Sequence, residues 1–326
     1  MPPALVERTA SEIVASTRAM ATEVTIKVAP NHESDESNNS ESTIGSALEI
    51  FHTVERACTR FDPTSPLMRA NASPWRWHVV PAVLFSALEE ASHAHQRTAG
   101  RFDPRIIADL VALGYDHTLD FASGNVSTAR VAHRGNRSLQ TGRWRPRFRG
   151  GSREVLLGQS VDLGGIGKGL AVRWSSQILA SATGNYLVEA GGDCYCAGVA
   201  GDGANWRIGV EDPDGGDEPI AVLSLRDRAA TTSSIRLRRW RANQESFHHL
   251  IDPSTGRPGG SELVAVTVVG RDPAAAEVDS KVLFLAGGHR IAQAARRRGV
   301  AALWVDVHGE VGVSEEMNRY LVWRRS

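Results

Sequence analysis

Val161-Asp162-Leu163-Gly164-Gly165-Ile166-Gly167-Lys168-Gly169 is the stretch whose reading decides the fold. Its four glycines allow a backbone to approach a ligand closely, and Lys168 adds a cation. A helical pattern runs from Gly169 to Ala182, so the first amides of that helix face back onto the loop, which suits a phosphate. Two familiar nucleotide folds are nevertheless excluded. A P-loop needs Ser or Thr after the lysine and a glycine five residues before the Gly-Lys pair's glycine; here those positions hold Gly169 and Asp162. The dinucleotide fingerprint G-x-G-x-x-G is not met either, and no strand-helix-strand run surrounds the loop. A tight strand-to-helix turn with no ligand would use the same glycines. Asp162 can bond a heterocycle N–H or hold the loop.

Outward from this stretch, strands and helices mix without βα alternation, which predicts an α+β fold of mixed or antiparallel sheets with packed helices. Glu23 to Ala29 alternates polar and apolar residues as a half-buried strand does. Residues 31–45 read as a mobile polar loop, because Asn31 to Thr43 holds no apolar residue to bury. A helix is expected from Ser46 to Thr59, with Leu48, Phe51, Val54 and Ala57 on one stripe. Further helices are expected at Pro81 to Ala99, at Ile106 to Leu113 with Gly114 as its stop, and at Ala275 to Ala286. Tyr186 to Val199, Trp206 to Val210, Ala221 to Leu225, Leu263 to Val269 and Leu303 to Val307 read as strands. The expected organisation is an N-terminal tail of residues 1–18 and one domain over 19–326.

Composition narrows the function classes. The 326 residues carry 37 basic and 37 acidic side chains, a net charge of zero, which argues against bulk phosphate-backbone binding. The eight arginines between Arg130 and Arg153, interleaved with Trp144 and Phe148, are therefore read as solvated strand edges, and no nucleic-acid partner is expected. No window resembles a membrane span, and Met1 to Arg18 lacks the apolar core of a secretory leader. Three cysteines make no disulfide framework; Cys194 and Cys196 fall on one face of a strand and suit core packing. These features predict a cytoplasmic protein.

A second chemistry-bearing stretch is His249-Leu250-Ile251-Asp252-Pro253-Ser254-Thr255-Gly256. An imidazole that titrates near neutrality stands three residues before a Pro-initiated turn, a placement that suits proton transfer. Smaller islands are Met20-Ala21-Thr22, Arg60-Phe61-Asp62-Pro63 leading on to Asn71, Gly100-Arg101-Phe102-Asp103-Pro104, Glu189-Ala190-Gly191-Gly192-Asp193, and Thr232-Ser233. In this order, from about Met20 to about Gly287, they resemble the FAD:protein FMN transferase family, also called the ApbE family.

That resemblance implies a reaction in which a Ser or Thr hydroxyl of a target protein attacks the pyrophosphate of FAD, takes FMN and releases AMP, with Mg²⁺ bridging the phosphates. It implies that Met20, Phe61, Arg101, Phe102 and Asp103 line the flavin or adenosine part of the site. It further implies that Asp162 and Lys168 contact the cofactor, that Ile251 packs on it, and that His249 is the base. The Gly165 carbonyl, Glu277 and Ser280 would face the metal. The chain departs from the family at Ser234, where Gly usually follows the Thr-Ser pair, and at one helix. Glu277 replaces an Asp, and Lys281 stands where the metal-binding Thr belongs, with Asp279 nearby. An ammonium cannot ligate Mg²⁺. Alternatives to transfer are an FAD-binding protein that has lost it, and an FAD pyrophosphatase giving FMN and AMP.

Overall fold

The computed structural model describes residues 5–9, 12–29, 37–121, 126–128, 142–242 and 245–325. Nine of its strands form one sheet whose spatial order is also their order in the chain. They are β1 (Leu5–Arg8), β2 (Ile13–Ala19), β3 (Thr22–Val28), β4 (Tyr186–Ala190), β5 (Asp193–Ala197), β6 (Arg228–Ser234), β7 (Leu263–Gly270), β8 (Ala301–Asp306) and β9 (Val311–Val313). Every neighbouring pair is antiparallel.

Alternation along the strands gives the sheet two apolar faces. On one face Val24, Ile26, Val188 and Ala190 meet Leu48, Phe51 and Val54 of helix α1 (Ser37–Cys58) and, after helices α2 (Pro66–Ala72), α3 (Ala82–Arg97) and α4 (Ile107–Ala112), Ala171 and Val172 of helix α5 (Gly167–Leu179). Val266 and Val268 on the same sheet meet Leu283 and Phe284 of helix α6 (Pro273–Phe284). The other face presents Leu187, Cys194, Cys196, Ala230 and Val269 to Trp206, Ile220, Leu223 and Leu225 of a small sheet made by Trp206–Val210, Ala221–Leu225 and Leu321–Arg324. The paired cysteines are thus core residues, and all three thiols are free.

Several expectations are corrected. Residues 13–18 are not a tail: β2 pairs with β3 through Met20-Ala21, both at positive φ (54° and 58°). Such a turn normally advertises itself with Gly or Asn, and Met-Ala does not. Helix α1 begins at Ser37, within the expected loop 31–45, of which residues 31–36 lie outside the described residues. Ile44 and Ala47 already belong to its buried stripe, and once that stripe anchors a helix, polar turns extend it at little cost. The run from Tyr186 to Val199 is a hairpin, folded at Gly191-Gly192 where φ is 55° and 84°. The arginine-rich segment places Arg147–Arg149 in a three-stranded sheet with Glu154–Leu156 and His78–Val79, while Trp144 is buried and donates Nε1–H to the Leu157 carbonyl. Residues 129–141 of that segment lie outside the described residues.

Helices α5 and α6 cross at Gly169. A Cβ there would lie 2.7 Å from the Ala274 Cα and the Pro273 carbonyl oxygen, which no real contact tolerates. Gly169→Ala is expected to force the helices apart and cost about 1–3 kcal/mol, read as a lowered melting temperature. An unchanged melt would mean that the crossing is looser than described.

Candidate functional site

The glycine loop is fixed from both sides. Asp162 Oδ1 accepts from the Gly164 N–H at 2.6 Å, and its Oδ2 pairs with Arg60 Nε at 2.8 Å. Arg60 lies 4.2 Å above the rings of both Phe61 and Tyr115, and donates Nη1–H to the Tyr115 carbonyl at 2.7 Å. The Asp162 N–H donates to the Pro104 carbonyl at 2.7 Å, which ties the loop to the Gly100–Pro104 turn. That turn brings the Phe102 ring against Gly165: a Cβ on Gly165 would sit 3.0 Å from Phe102 Cε2. Asp162 therefore serves the loop and Arg60 with both oxygens. Asp103 is likewise engaged, by Arg105 Nε at 2.9 Å and Nη2 at 2.6 Å. Arg101 is exposed.

Four charged side chains, two of each sign, pair off where the loop meets the helices. Lys168 pairs with Asp193, whose other oxygen accepts from the Thr232 N–H at 3.0 Å. Glu277, only 1% exposed, accepts from the Gly169 N–H at 2.7 Å and pairs with Lys281 Nζ at 3.1 Å. Burial pushes the Asp193 carboxyl up despite Lys168. Burial also works to raise Glu277, but Lys281, Lys168 and the Gly169 amide outweigh it, so Glu277 is held below the usual carboxylate range.

The side chains expected to hold magnesium, Glu277 and Ser280, do not fit that ion. Both Glu277 oxygens are engaged. Ser280 Oγ shares a 2.7 Å hydrogen bond with Ser233 Oγ and donates to the Glu277 carbonyl at 2.9 Å. The Lys281 stem lies alongside Gly165, its Cδ and Cε each 3.5 Å from where a Cβ would stand. Asp279 turns away to pair with Arg97 and Arg298. Among the described residues no cluster of three or more His, Cys, Asp or Glu side chains is arranged to hold a metal ion.

His249 follows the hairpin of Arg239–Ala242 and Glu245–His248, whose Trp240 and Phe247 bury Ile251 with Leu113 and Tyr115. Ile251 is thus core, 3% exposed. Asp252 fixes the following turn by accepting from the Ser254 N–H at 2.8 Å. His249 Nδ1 lies 3.3 Å from the Arg238 carbonyl, an acceptor, which places the proton on Nδ1 and leaves Nε2 with the lone pair. Burial, then the charges of Arg238, Lys281 and His248, hold the His249 imidazole well below its ordinary 6.5. It is neutral at physiological pH and can accept a proton.

Met20 reaches the same place from the β2–β3 turn. Its N–H donates to Glu55 Oε1 at 2.9 Å, and its Cε lies 3.4 Å from where a Gly167 Cβ would be. The fold thus gathers Met20, Phe102, Gly165, Lys168, Glu277, Ser280 and Lys281 at the start of α5. Asp162 and the 38%-exposed Phe61 stand on the Arg60 flank, and His249 lies within reach of the Lys281 charge. Sequence reasoning assigned no role to Arg60, Tyr115, Asp193 or Arg238. Arg60 and Asp193 stood inside quoted islands, but Tyr115 and Arg238 carry no local signal.

The sequence model of the ApbE family matches residues 20–304. The chain is 28% identical over 250 residues to the FAD:protein FMN transferase of Treponema pallidum, covering 70% of this chain and 66% of that one. It is 29% identical over 154 residues to the FAD:protein FMN transferase of Escherichia coli K12, a match that spans 46% of this chain and 43% of that protein. The crystal structure of the ApbE protein from Thermotoga maritima superposes with a TM-score of 0.80 at 26% identity, covering 97% of this chain and 100% of that chain. No helix among the described residues is long and apolar enough to cross a membrane.

Proposed function

The chain belongs to the ApbE family, and we propose that it is an FAD:protein FMN transferase, moving FMN from FAD to a Ser or Thr hydroxyl of an acceptor protein and releasing AMP. The observation that carries this reading is a glycine loop that opens a helix, with the Lys168 and Lys281 ammoniums beside it and a His249 whose Nδ1 is committed to the Arg238 carbonyl, leaving Nε2 as an acceptor. A hydroxyl needs a base, and a pyrophosphate needs cations and backbone amides. In this reading His249 Nε2 takes the acceptor hydroxyl proton. The oxygen attacks the phosphorus that bears the riboflavin, and the P–O bond to the AMP phosphate breaks. AMP leaves with the bridging oxygen, and a phosphoester joins FMN to the acceptor. Lys168, whose side chain keeps 15% of its surface exposed beside Asp193, holds the phosphates. Met20, Phe61 and Phe102 offer apolar surface to the rings, and exposed Arg101 flanks them. Asp103 and Ile251 act through the walls of the site, since both are already engaged by the protein.

FAD is expected to bind at least about tenfold more tightly than FMN, because only the dinucleotide reaches both ends of the site. Quenching of flavin fluorescence measures both affinities, and an equal preference would count against the donor assignment. Incubation with FAD and a candidate acceptor should give AMP in step with covalent flavin on the acceptor. FMN and AMP released without an acceptor would identify a pyrophosphatase, and binding without either product a flavin-binding protein. We also place the protein in the cytoplasm, on the ground that its cysteines are unpaired thiols.

A further inference from the structure

We infer that Lys281 is a built-in cation that replaces a divalent metal ion, so that Lys281 and Lys168 together hold the donor's pyrophosphate and binding needs no magnesium. The inference rests on the reading that this site takes FAD. Three independent features of the site support it.

The first is occupancy. The carboxylate that would ligate a metal is salt-bridged by Lys281 Nζ at 3.1 Å through one oxygen, and its other oxygen accepts from the Gly169 amide. A magnesium ion requires a near-octahedral set of oxygens at about 2.0–2.1 Å, and an ammonium beside the same carboxylate both blocks and repels it. The second is anchoring. The Lys281 stem runs along Gly165, where a side chain would meet Cδ and Cε at 3.5 Å, and Nζ also lies 3.5 Å from the Glu277 carbonyl. The charge is thus fixed by the helix and the loop together, yet the side chain remains 17% exposed and can meet a ligand.

The third is balance. Lys168 pairs with Asp193 and Lys281 with Glu277, two ammoniums against two carboxylates at one site. The lysines stand on different helices, either side of the Gly169 crossing. A dianionic pyrophosphate laid over this crossing would meet one positive charge from each helix. Lys281 provides a single point charge on a flexible stem, not a bridging Lewis acid, so the site is built to bind the phosphates more than to polarise them.

Two measurements on the full chain test this. Without flavin, Mn²⁺ binding is followed by electron paramagnetic resonance. The wild type should hold no Mn²⁺, and Lys281→Thr combined with Glu277→Asp should hold one ion. A wild type that binds Mn²⁺ tightly overturns the replacement whatever its affinity for FAD. FAD affinity is then titrated in EDTA and in saturating Mg²⁺. For the wild type the two values should agree within about twofold, while Lys281→Thr and Lys281→Gln should lose about tenfold or more in EDTA. Mg²⁺ should restore the Thr variant, and two variants of different shape separate loss of charge from misfolding. A wild type that loses tenfold in EDTA, or a Thr and Gln pair that loses nothing, overturns the phosphate role. Failure to bind FAD in any buffer overturns the donor reading and the phosphate role with it, while the Mn²⁺ result still decides the cation replacement.

Discussion

Replacing His249 with alanine is expected to slow flavin transfer by about 10²–10⁴-fold while leaving FAD affinity within about threefold, because in the proposed mechanism the residue moves a proton and does not hold the cofactor. Its imidazole is kept neutral by burial and by the charges of Arg238, Lys281 and His248, with its Nδ1 committed to the Arg238 carbonyl. The sign of the pH dependence follows. A base whose pKa lies well below 6.5 stays unprotonated on either side of that value, so the rate should hold its plateau through pH 6.5 and fall only at lower pH. An acid limb centred on 6.5 would show an imidazole that is not depressed, and unchanged turnover in the alanine variant would remove His249 from the reaction. The same depression affects stability. His248, pushed down to about 4 by burial, and His249 are neutral in the native state, whereas in the unfolded chain both protonate near 6.5. The unfolded state therefore binds more protons below that value, and stability should be lost as pH falls from about 6.5 towards about 4.

Asp162→Ala is expected to lower stability by about 3–5 kcal/mol in the absence of FAD, the cost of leaving a buried guanidinium without its carboxylate. Asp162 and Arg60 are both almost fully buried, and Asp162 is the only ion-pair partner that Arg60 has among the described residues. Removing the carboxylate also releases the Gly164 amide and loosens the loop that faces Phe102 and Lys281. FAD affinity should fall as a consequence of that loosening. Chemical denaturation of the variant without flavin decides the matter. Unchanged stability with weakened FAD binding would return Asp162 to the role of a direct cofactor contact.

Legibility in the sequence followed the range of the interaction. Trp206–Val210 and Ala221–Leu225 were readable to the residue, because alternation and β-branching are local. Helix α1 was found by its stripe but not by its start, since the polar residues before Ile44 carry no periodicity. The β2–β3 hairpin was invisible, because its turn uses Met20 and Ala21 in a conformation that other residues prefer. The Asp162 motif was legible as a glycine loop, but its two uses for the carboxylate could not be separated without Arg60, which is remote in the chain. Lys281 stood out only against the family pattern. That its ammonium sits on Glu277 is a matter of helix geometry, the i, i+4 spacing on one face of α6.

The pairing of β3 with β4 has a consequence for how the protein comes into being. The described residues between Ala29 and Asn185 lie outside this sheet, and the two ends of the excursion meet where the Ala29 N–H donates to the Asn185 carbonyl at 3.0 Å. Phe61, Phe102, Asp162 and Lys168 ride on this excursion; Asp193, His249, Glu277 and Lys281 come after it. Closing so long a loop costs entropy before any strand pairing offsets it, so this join forms late. A chain emerging from the ribosome has no complete site until α6 is made and packed across the join. A dinucleotide bound as proposed, by Lys168 on one side and Lys281 on the other, would clasp the finished sheet shut. Its effect belongs on the rate at which the protein unravels, not on the rate at which it first assembles.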